Sequence, residues 1–152
     1  PSLSSLRVYP RYGLGNVILT LVSGLGLAVA EGKEFVAVVP QQTAELLGLR
    51  RHMWQLPHDM KEGTVLNLVG ARPQAAAAAE RIACCERWMN SSVSVVESDQ
   101  YFLPLVTHCG HRRKKLDGTL ELPGANSGDR FRRLARWLLR PRQPEIAAVC
   151  WG

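Results

Sequence analysis

The stretch RYGLGNVILTLVSGLGLAVAEGKEFVAVV, residues 11–39, constrains the fold more than any other part of the chain. From Val17 to Ala30 it runs fourteen residues without a charge, whereas crossing a hydrocarbon core takes about 20 apolar residues. Glu31-Gly32-Lys33-Glu34 ends the run in a charged turn and offers no small-residue site of the kind that follows a secretory leader. The run therefore reads as a buried helix, with Asn16 expected to cap its start and Gly32 to end it. Strands are expected at Leu6–Tyr9 before it and Phe35–Val39 after it, which makes the segment a βαβ unit.

The corner Gly13-Leu14-Gly15-Asn16 opens that helix. A dinucleotide fingerprint needs a third glycine three positions after the second, where helix and strand press together; Ile18 stands there. No carboxylate closes the second strand to hold a ribose, because Val39 is followed by Pro40 and Gln41. Both departures argue against a nicotinamide site. Two readings remain: a turn whose backbone N–H groups and helix dipole receive anions or polar ligand atoms, or a tight turn with a cap and nothing more.

The rest of the chain alternates in the same way. A short helix is expected over Thr43–Leu49, a strand over Thr64–Val69, and a helix from Pro73 to about Met89 with proline in its first turn and five alanines following. A strand is expected over Ser92–Glu97. Gly110 to Gly128 is polar, basic and glycine-bearing and reads as a long loop. Strands alternating with helices predict an α/β layered fold with a parallel, Rossmann-like sheet. At 152 residues, 46% hydrophobic and 21% charged, the chain has enough apolar material for one core and one domain. It begins at Pro1 and stops just after an apolar run, so a fragment of a longer protein is expected.

The net charge of +6 is unevenly placed: of 19 Lys and Arg, ten lie between Arg112 and Arg142, against Asp117, Glu121 and Asp129. Such a patch is an electrostatic footprint for nucleic acid, anionic membrane or phosphate. The stronger reading is an amphipathic helix in which Phe131, Leu134, Trp137 and Leu138 face the core and Arg132, Arg133, Arg136 and Arg140 face water, with no nucleic-acid partner. The cysteines, Cys84, Cys85, Cys109 and Cys150, form no C-x-x-C pair. A zinc set of Cys84 or Cys85 with His108, Cys109 and His111 is conceivable but fits no regular spacing, and the even number also permits disulfides.

Glu97-Ser98-Asp99-Gln100-Tyr101-Phe102-Leu103-Pro104 follows a predicted strand and puts a carboxylate, an amide and two aromatics at its C-terminal end, where ligand clefts of open α/β sheets form. Acceptors for hydroxyls and aromatic carbon for ring faces suit a sugar. The competing reading places Tyr101 and Phe102 in the core and gives Asp99 a turn to cap.

Four motifs, in order, resemble the plant-type xyloglucan (galactoside 2-alpha-L-) fucosyltransferase family, glycosyltransferase family 37. Gly13-Leu14-Gly15-Asn16 is similar to the family's Gly-Leu-Gly-Asn-Arg corner, with Val17 in place of the arginine. Trp54-Gln55-Leu56-Pro57-His58-Asp59-Met60 is similar to its Trp-x-Leu-Pro-x-Asp-Phe segment. Ser98-Asp99-Gln100-Tyr101-Phe102-Leu103-Pro104 meets its Ser/Thr-Asp-x-Tyr-Phe-x-Pro motif in full. Phe131 to Pro141 echoes its Phe-x-x-Leu-Gly-Arg-Tyr-Leu-Phe-x-Pro stretch. The resemblance covers roughly residues 11–60 and 95–146. It implies the N-terminal, acceptor-side half of a GT-B-like inverting transferase that moves fucose from GDP-fucose to the 2-hydroxyl of a galactose without a metal. It also implies a donor-binding half beyond the last residue, a Golgi membrane location with the anchor outside this chain, and a luminal domain. On that reading Gly13, Gly15, Asn16, Asp99 and Tyr101 line the substrate cleft, and Asp99 orients the acceptor hydroxyl. The runner-up is a non-catalytic α/β module that binds a sugar or an anion at Gly13–Asn16.

Overall fold

The computed structural model describes residues 4–57, 64–70, 73–87, 93–122 and 124–140. Their elements are β1 (Ser5–Pro10), α1 (Leu14–Glu31), β2 (Glu34–Val38), α2 (Gln41–Leu47), a 3-10 turn (Arg51–Met53), β3 (Trp54–Gln55), β4 (Thr64–Leu68), α3 (Pro73–Ala83), β5 (Val93–Ser98), α4 (Leu103–His108), α5 (Gly110–Leu120) and α6 (Ser127–Leu138). The five strands form one sheet in the order β3-β2-β1-β5-β4, every pairing parallel. The expected α/β class, the parallel sheet and the opening βαβ unit are present. α3 ends at Ala83, short of the expected end near Met89, with Cys85 already in the left-handed conformation; Met89 itself and His58, Asp59, Met60 and Pro141 of the family-like motifs lie outside the described residues.

The strand order fixes where the helices go. Each step from β1 to β2, β2 to β3 and β4 to β5 moves across the sheet in the same direction. Right-handed crossovers then put the intervening helices on one face. The burial agrees: Leu6 and Val8 of β1, Phe35 and Ala37 of β2, Leu66 and Leu68 of β4 and Val96 of β5 join α1 to α6 in one core. The alternate positions face the other way, where Tyr9, Val38 and Val95 form a second, smaller cluster with Val93.

α1 is the centre of the core. It is eighteen residues long, begins three residues before the uncharged run, and by length and hydropathy matches a membrane span. In this fold two-thirds of it is buried, against β1 and β2 with α4, α5 and α6 alongside. Gly24 permits the close approach that a fingerprint's third glycine would serve: a Cβ there would stand 2.5 Å from a methyl of Val8. The contact falls at Gly24, well past Ile18, which holds the place where the fingerprint requires its third glycine. Gly32 ends α1 in the left-handed conformation, φ 66°, as expected.

Two further expectations fail. Residues 110–128 are not a long loop: α5 occupies Gly110–Leu120 and α6 begins at Ser127. The polar composition hid the reason, which is that Arg112, Leu116 and Leu120 are buried on one side. Arg112 is only 1% exposed; it donates to the Ile82 and Glu86 carbonyls at the end of α3 and pairs with Glu31 at the end of α1. Arg130 grips Asp117 through two hydrogen bonds of 2.7 and 2.8 Å, which join α6 to α5 and hold its guanidinium charged above the usual range. Arg133 donates to the Leu120 carbonyl. The basic stretch is thus partly internal wiring, while Arg132, Arg136 and Arg140 are exposed as expected. Trp137, placed on the core face from its spacing, is 37% exposed, because Leu134, Ala135 and Leu138 fill the contact.

The second failure is Asn16. Gly13 is the N-cap of α1, with no side-chain cap hydrogen bond, and Asn16 lies exposed in the first turn. The helix starts three residues earlier than a cap at Asn16 would allow.

Candidate functional site

The C-terminal edge of the sheet gathers the predicted residues from two adjacent strands. β1 and β5 run in register from Ser5↔Val93 to Pro10↔Ser98, so the chain leaving Pro10 and the chain leaving Ser98 emerge side by side. The Arg11 amide donates to the Ser98 carbonyl at 2.9 Å, and the Arg11 guanidinium pairs with Glu97. Gly13, Gly15 and Asn16 lie beyond β1, and Asp99 lies beyond β5.

At the corner, the backbone departs from expectation in an informative way. Gly13 is extended, at φ −65° and ψ 167°, a conformation open to any residue. The left-handed residue is Tyr12, at φ 68°, where a bulky side chain is strained. Tyr12 is also 72% exposed. Side chains added at Gly13 or Gly15 would meet nothing within 4 Å. Neither glycine is demanded by packing or by its torsion angle, so what they provide is open space above the first turn of α1. That turn has no acidic residue and no side-chain cap hydrogen bond, so no N-cap side chain takes up its leading N–H groups.

A cavity of about 300 Å³ adjoins the corner, lined by Tyr9, Arg11, Tyr12 and Val17 on one side and Val39 and Thr43 on the other. It sits over the C-terminal ends of β1 and β2. Asp99 is on the opposite side of β1: its carboxylate accepts the Gly70 N–H at 3.1 Å, while the Gln100 side-chain amide donates to the Gly70 carbonyl at 2.8 Å. The pair of bonds fastens the turn after β5 to the turn after β4.

Two polar residues inside the apolar run position that turn. Thr20 donates toward the Ser98 and Gln100 carbonyls at 3.3 and 3.2 Å. The Ser23 hydroxyl accepts from the Phe102 and Leu103 amides at 3.0 and 3.1 Å, capping α4 from another helix. Both are buried, and their hydrogen bonds offset the cost of placing hydroxyls in the core.

Tyr101 does not join the corner. It is half-buried and meets Phe131 edge to face, ring centroids 5.9 Å apart; burial raises its phenol above the usual range against the opposing charge of Arg130. Phe102 is core. The core reading holds for both aromatics, whereas Gly13, Gly15, Asn16 and Asp99 share the sheet edge. The residue that the sequence reading passed over is Tyr12. Its signal is a bulky aromatic directly before a glycine corner, at the point where a strand must turn into a helix.

Cys85 and Cys109 form a disulfide, and Cys84 is an exposed free thiol. His111 Nδ1 lies 3.2 Å from the Cys109 sulfur. Cys150 lies outside the described residues.

The architecture and the edge geometry define the class: an α/β protein with a five-stranded, all-parallel sheet, consistent with a Rossmann-like layered fold, and a candidate ligand edge at the strands' C-terminal ends. No family model matches the chain, and a search of the curated proteins finds no match.

Proposed function

We propose that this chain is the acceptor-side part of a GT-B-like fucosyltransferase that moves fucose from GDP-fucose to the 2-hydroxyl of a galactose in a glycan. The observation that carries the reading is the open corner. Two glycines without a packing role leave space above an uncapped helix start, beside a cavity flanked by the exposed ring of Tyr12. Backbone donors beside an aromatic face suit a sugar, whose hydroxyls accept hydrogen bonds while its C–H face lies on the ring. The sequence motifs supply the particular chemistry. An inverting transfer needs an acceptor hydroxyl aligned behind the anomeric carbon and relieved of its proton, with the leaving diphosphate stabilised. Asp99 is the carboxylate nearest to that role, although its bond to Gly70 gives it a structural duty as well. The donor site belongs to the part of the protein beyond this chain, the reaction is metal-independent, and the setting is the Golgi lumen.

The test is transfer from GDP-fucose to a galactose-terminated oligosaccharide by the chain extended to its native C-terminus. Transfer is expected, with Asn16→Ala and Asp99→Asn each lowering turnover in the folded population. Since Asn16 is no cap, Asn16→Ala should leave stability within about 0.5 kcal/mol of the parent, as for surface changes away from special features. Galactoside binding without transfer would replace the enzyme by a non-catalytic sugar-binding module. Neither binding nor transfer would remove both readings.

A further inference from the structure

We infer that the Cys85–Cys109 disulfide is the closed form of a metal site, and that reducing it exposes a Cys85, Cys109, His111 set for a borderline-soft divalent cation of the zinc class. One sulfur of each cysteine and one ring nitrogen of His111 lie within 4.8 Å of one another. In a tetrahedral zinc site with bonds of about 2.0–2.3 Å, ligand atoms stand roughly 3.5–3.8 Å apart. The His111 Nδ1 to Cys109 Sγ distance of 3.2 Å is already close to that, and opening the bond lets the two sulfurs separate to a ligand spacing, with His111 no more than 4.8 Å from either. Among the described residues no fourth side chain, Cys84 included, joins the gathered atoms, so water is assigned the fourth position.

The surroundings show why these three residues hold their places. Cys85 follows α3 at φ 61°, with its amide donating to the Ile82 carbonyl and the Glu86 amide to the Arg81 carbonyl. That left-handed position after a helix is ordinarily glycine's, so a cysteine there is present for its sulfur. Cys109 is buried and is the N-cap of α5, where the helix dipole favours a thiolate. Arg112, one residue past His111, is turned to Glu31 and the α3 carbonyls, which engage its charge. Those contacts join the ends of α1, α3 and α5 without the disulfide, so the site persists when the bond opens.

The chemistry is a two-electron exchange. The thiolate of a dithiol reductant attacks the more accessible Cys85 sulfur and expels Cys109 as thiolate. The reductant's second thiol then closes its own disulfide and releases Cys85, leaving two protein thiols. Binding of the divalent cation displaces two protons from those thiols and uses neutral His111 as the third donor. Oxidation and metal binding are mutually exclusive, and under oxidising conditions the site is shut.

The experiment titrates cobalt(II) into the 152-residue chain, oxidised and after anaerobic reduction, in a Cys150→Ser background so that only the described cysteines answer. The reduced chain should bind one equivalent with a sulfur-to-cobalt charge-transfer band and the visible intensity of tetrahedral cobalt, reversed by zinc; the oxidised chain should show neither. His111→Gln should weaken binding at least tenfold, Cys85→Ser should remove the band, and Cys84→Ser should leave affinity within a factor of three. A reduced chain without the band, or a band indifferent to His111→Gln or Cys109→Ser, overturns the proposal. Circular dichroism of the Cys85→Ala/Cys109→Ala chain is the second measurement: retained helicity supports a preformed site, and its loss refutes one.

Discussion

Tyr12 joins an unfavourable backbone conformation to an exposed ring, and the two can be separated by substitution. A left-handed residue with a side chain costs roughly 1–2 kcal/mol, and glycine there escapes that cost but gives back about 0.5–1 kcal/mol through its freedom in the unfolded chain. Because the ring is 72% exposed, little packing is lost. Tyr12→Gly should therefore be neutral to slightly stabilising, by about 0.5 kcal/mol, which at this chain length is a rise of roughly 1–2 °C in Tm. Binding should move the other way. A sugar face covering about 50 Å² of ring carbon at about 25 cal/mol per Å² contributes roughly 1.2 kcal/mol, or close to eightfold in affinity. Tyr12→Ala removes the ring but keeps the strain, so it should lose the same affinity and gain no stability. Urea denaturation and calorimetric titration of a galactose-terminated oligosaccharide measure both quantities on the same samples. Unchanged affinity in both variants would refute the stacking platform. A loss of more than about 1 kcal/mol in Tyr12→Gly would refute the strain.

Arg112→Met should destabilise the fold by about 3–5 kcal/mol, since it removes the guanidinium that pairs with Glu31 and donates to the Glu86 carbonyl, and leaves the Ile82 carbonyl with the Cys85 amide alone; additivity with Glu31→Gln in denaturant melts would show that the two are not coupled. Gly48→Ala should cost about 3 kcal/mol or prevent folding, because φ is +65° and the added carbon would overlap the backbone of Arg140, whose amide donates to Leu47; a Tm within 2 °C of the parent contradicts this. Tyr101 has its phenol raised by burial, so the unfolded chain ionises first. Its contribution is complete below pH 10 and is lost as pH climbs through the higher folded value. Urea midpoints between pH 8 and 11 should fall more steeply for the parent than for Tyr101→Phe.

The sheet and the buried helix were legible because their signals are local: an uncharged run, a glycine stop and β-branched segments at either side. The start of α1 was misplaced by treating Asn16 as a cap, since propensity for capping says nothing of which turn the strand's exit permits. The region after Gly110 was misread for a different reason. Helical order there rests in part on Arg112, whose partners Glu31 and the carbonyls of Ile82 and Glu86 come from other parts of the chain, and on Arg130 and Arg133 of α6, which reach back to Asp117 and the Leu120 carbonyl of α5. Hydrophobic periodicity cannot register a buried arginine. Of the candidate site, Gly13, Gly15, Asn16 and Asp99 could be assigned to one edge from their places after strands. The core placement of Tyr101 was one of two readings the sequence left open, and spacing alone could not choose it because the choice rests on the contact with Phe131.

The central strand also sets a timetable. β1 finds β2 after one helix, but its other neighbour, Val93 opposite Ser5, lies about 90 residues further on. At ribosomal speeds of roughly 5–20 residues per second, β1 waits on the order of 4–18 s with one backbone edge open. Until β5 arrives, the nascent N-terminal βαβ unit carries an unpaired, apolar strand edge of the kind that invites pairing with another chain. Conditions that slow elongation between β2 and β5 should therefore lower the soluble yield of this protein without altering the stability of the molecules that do fold.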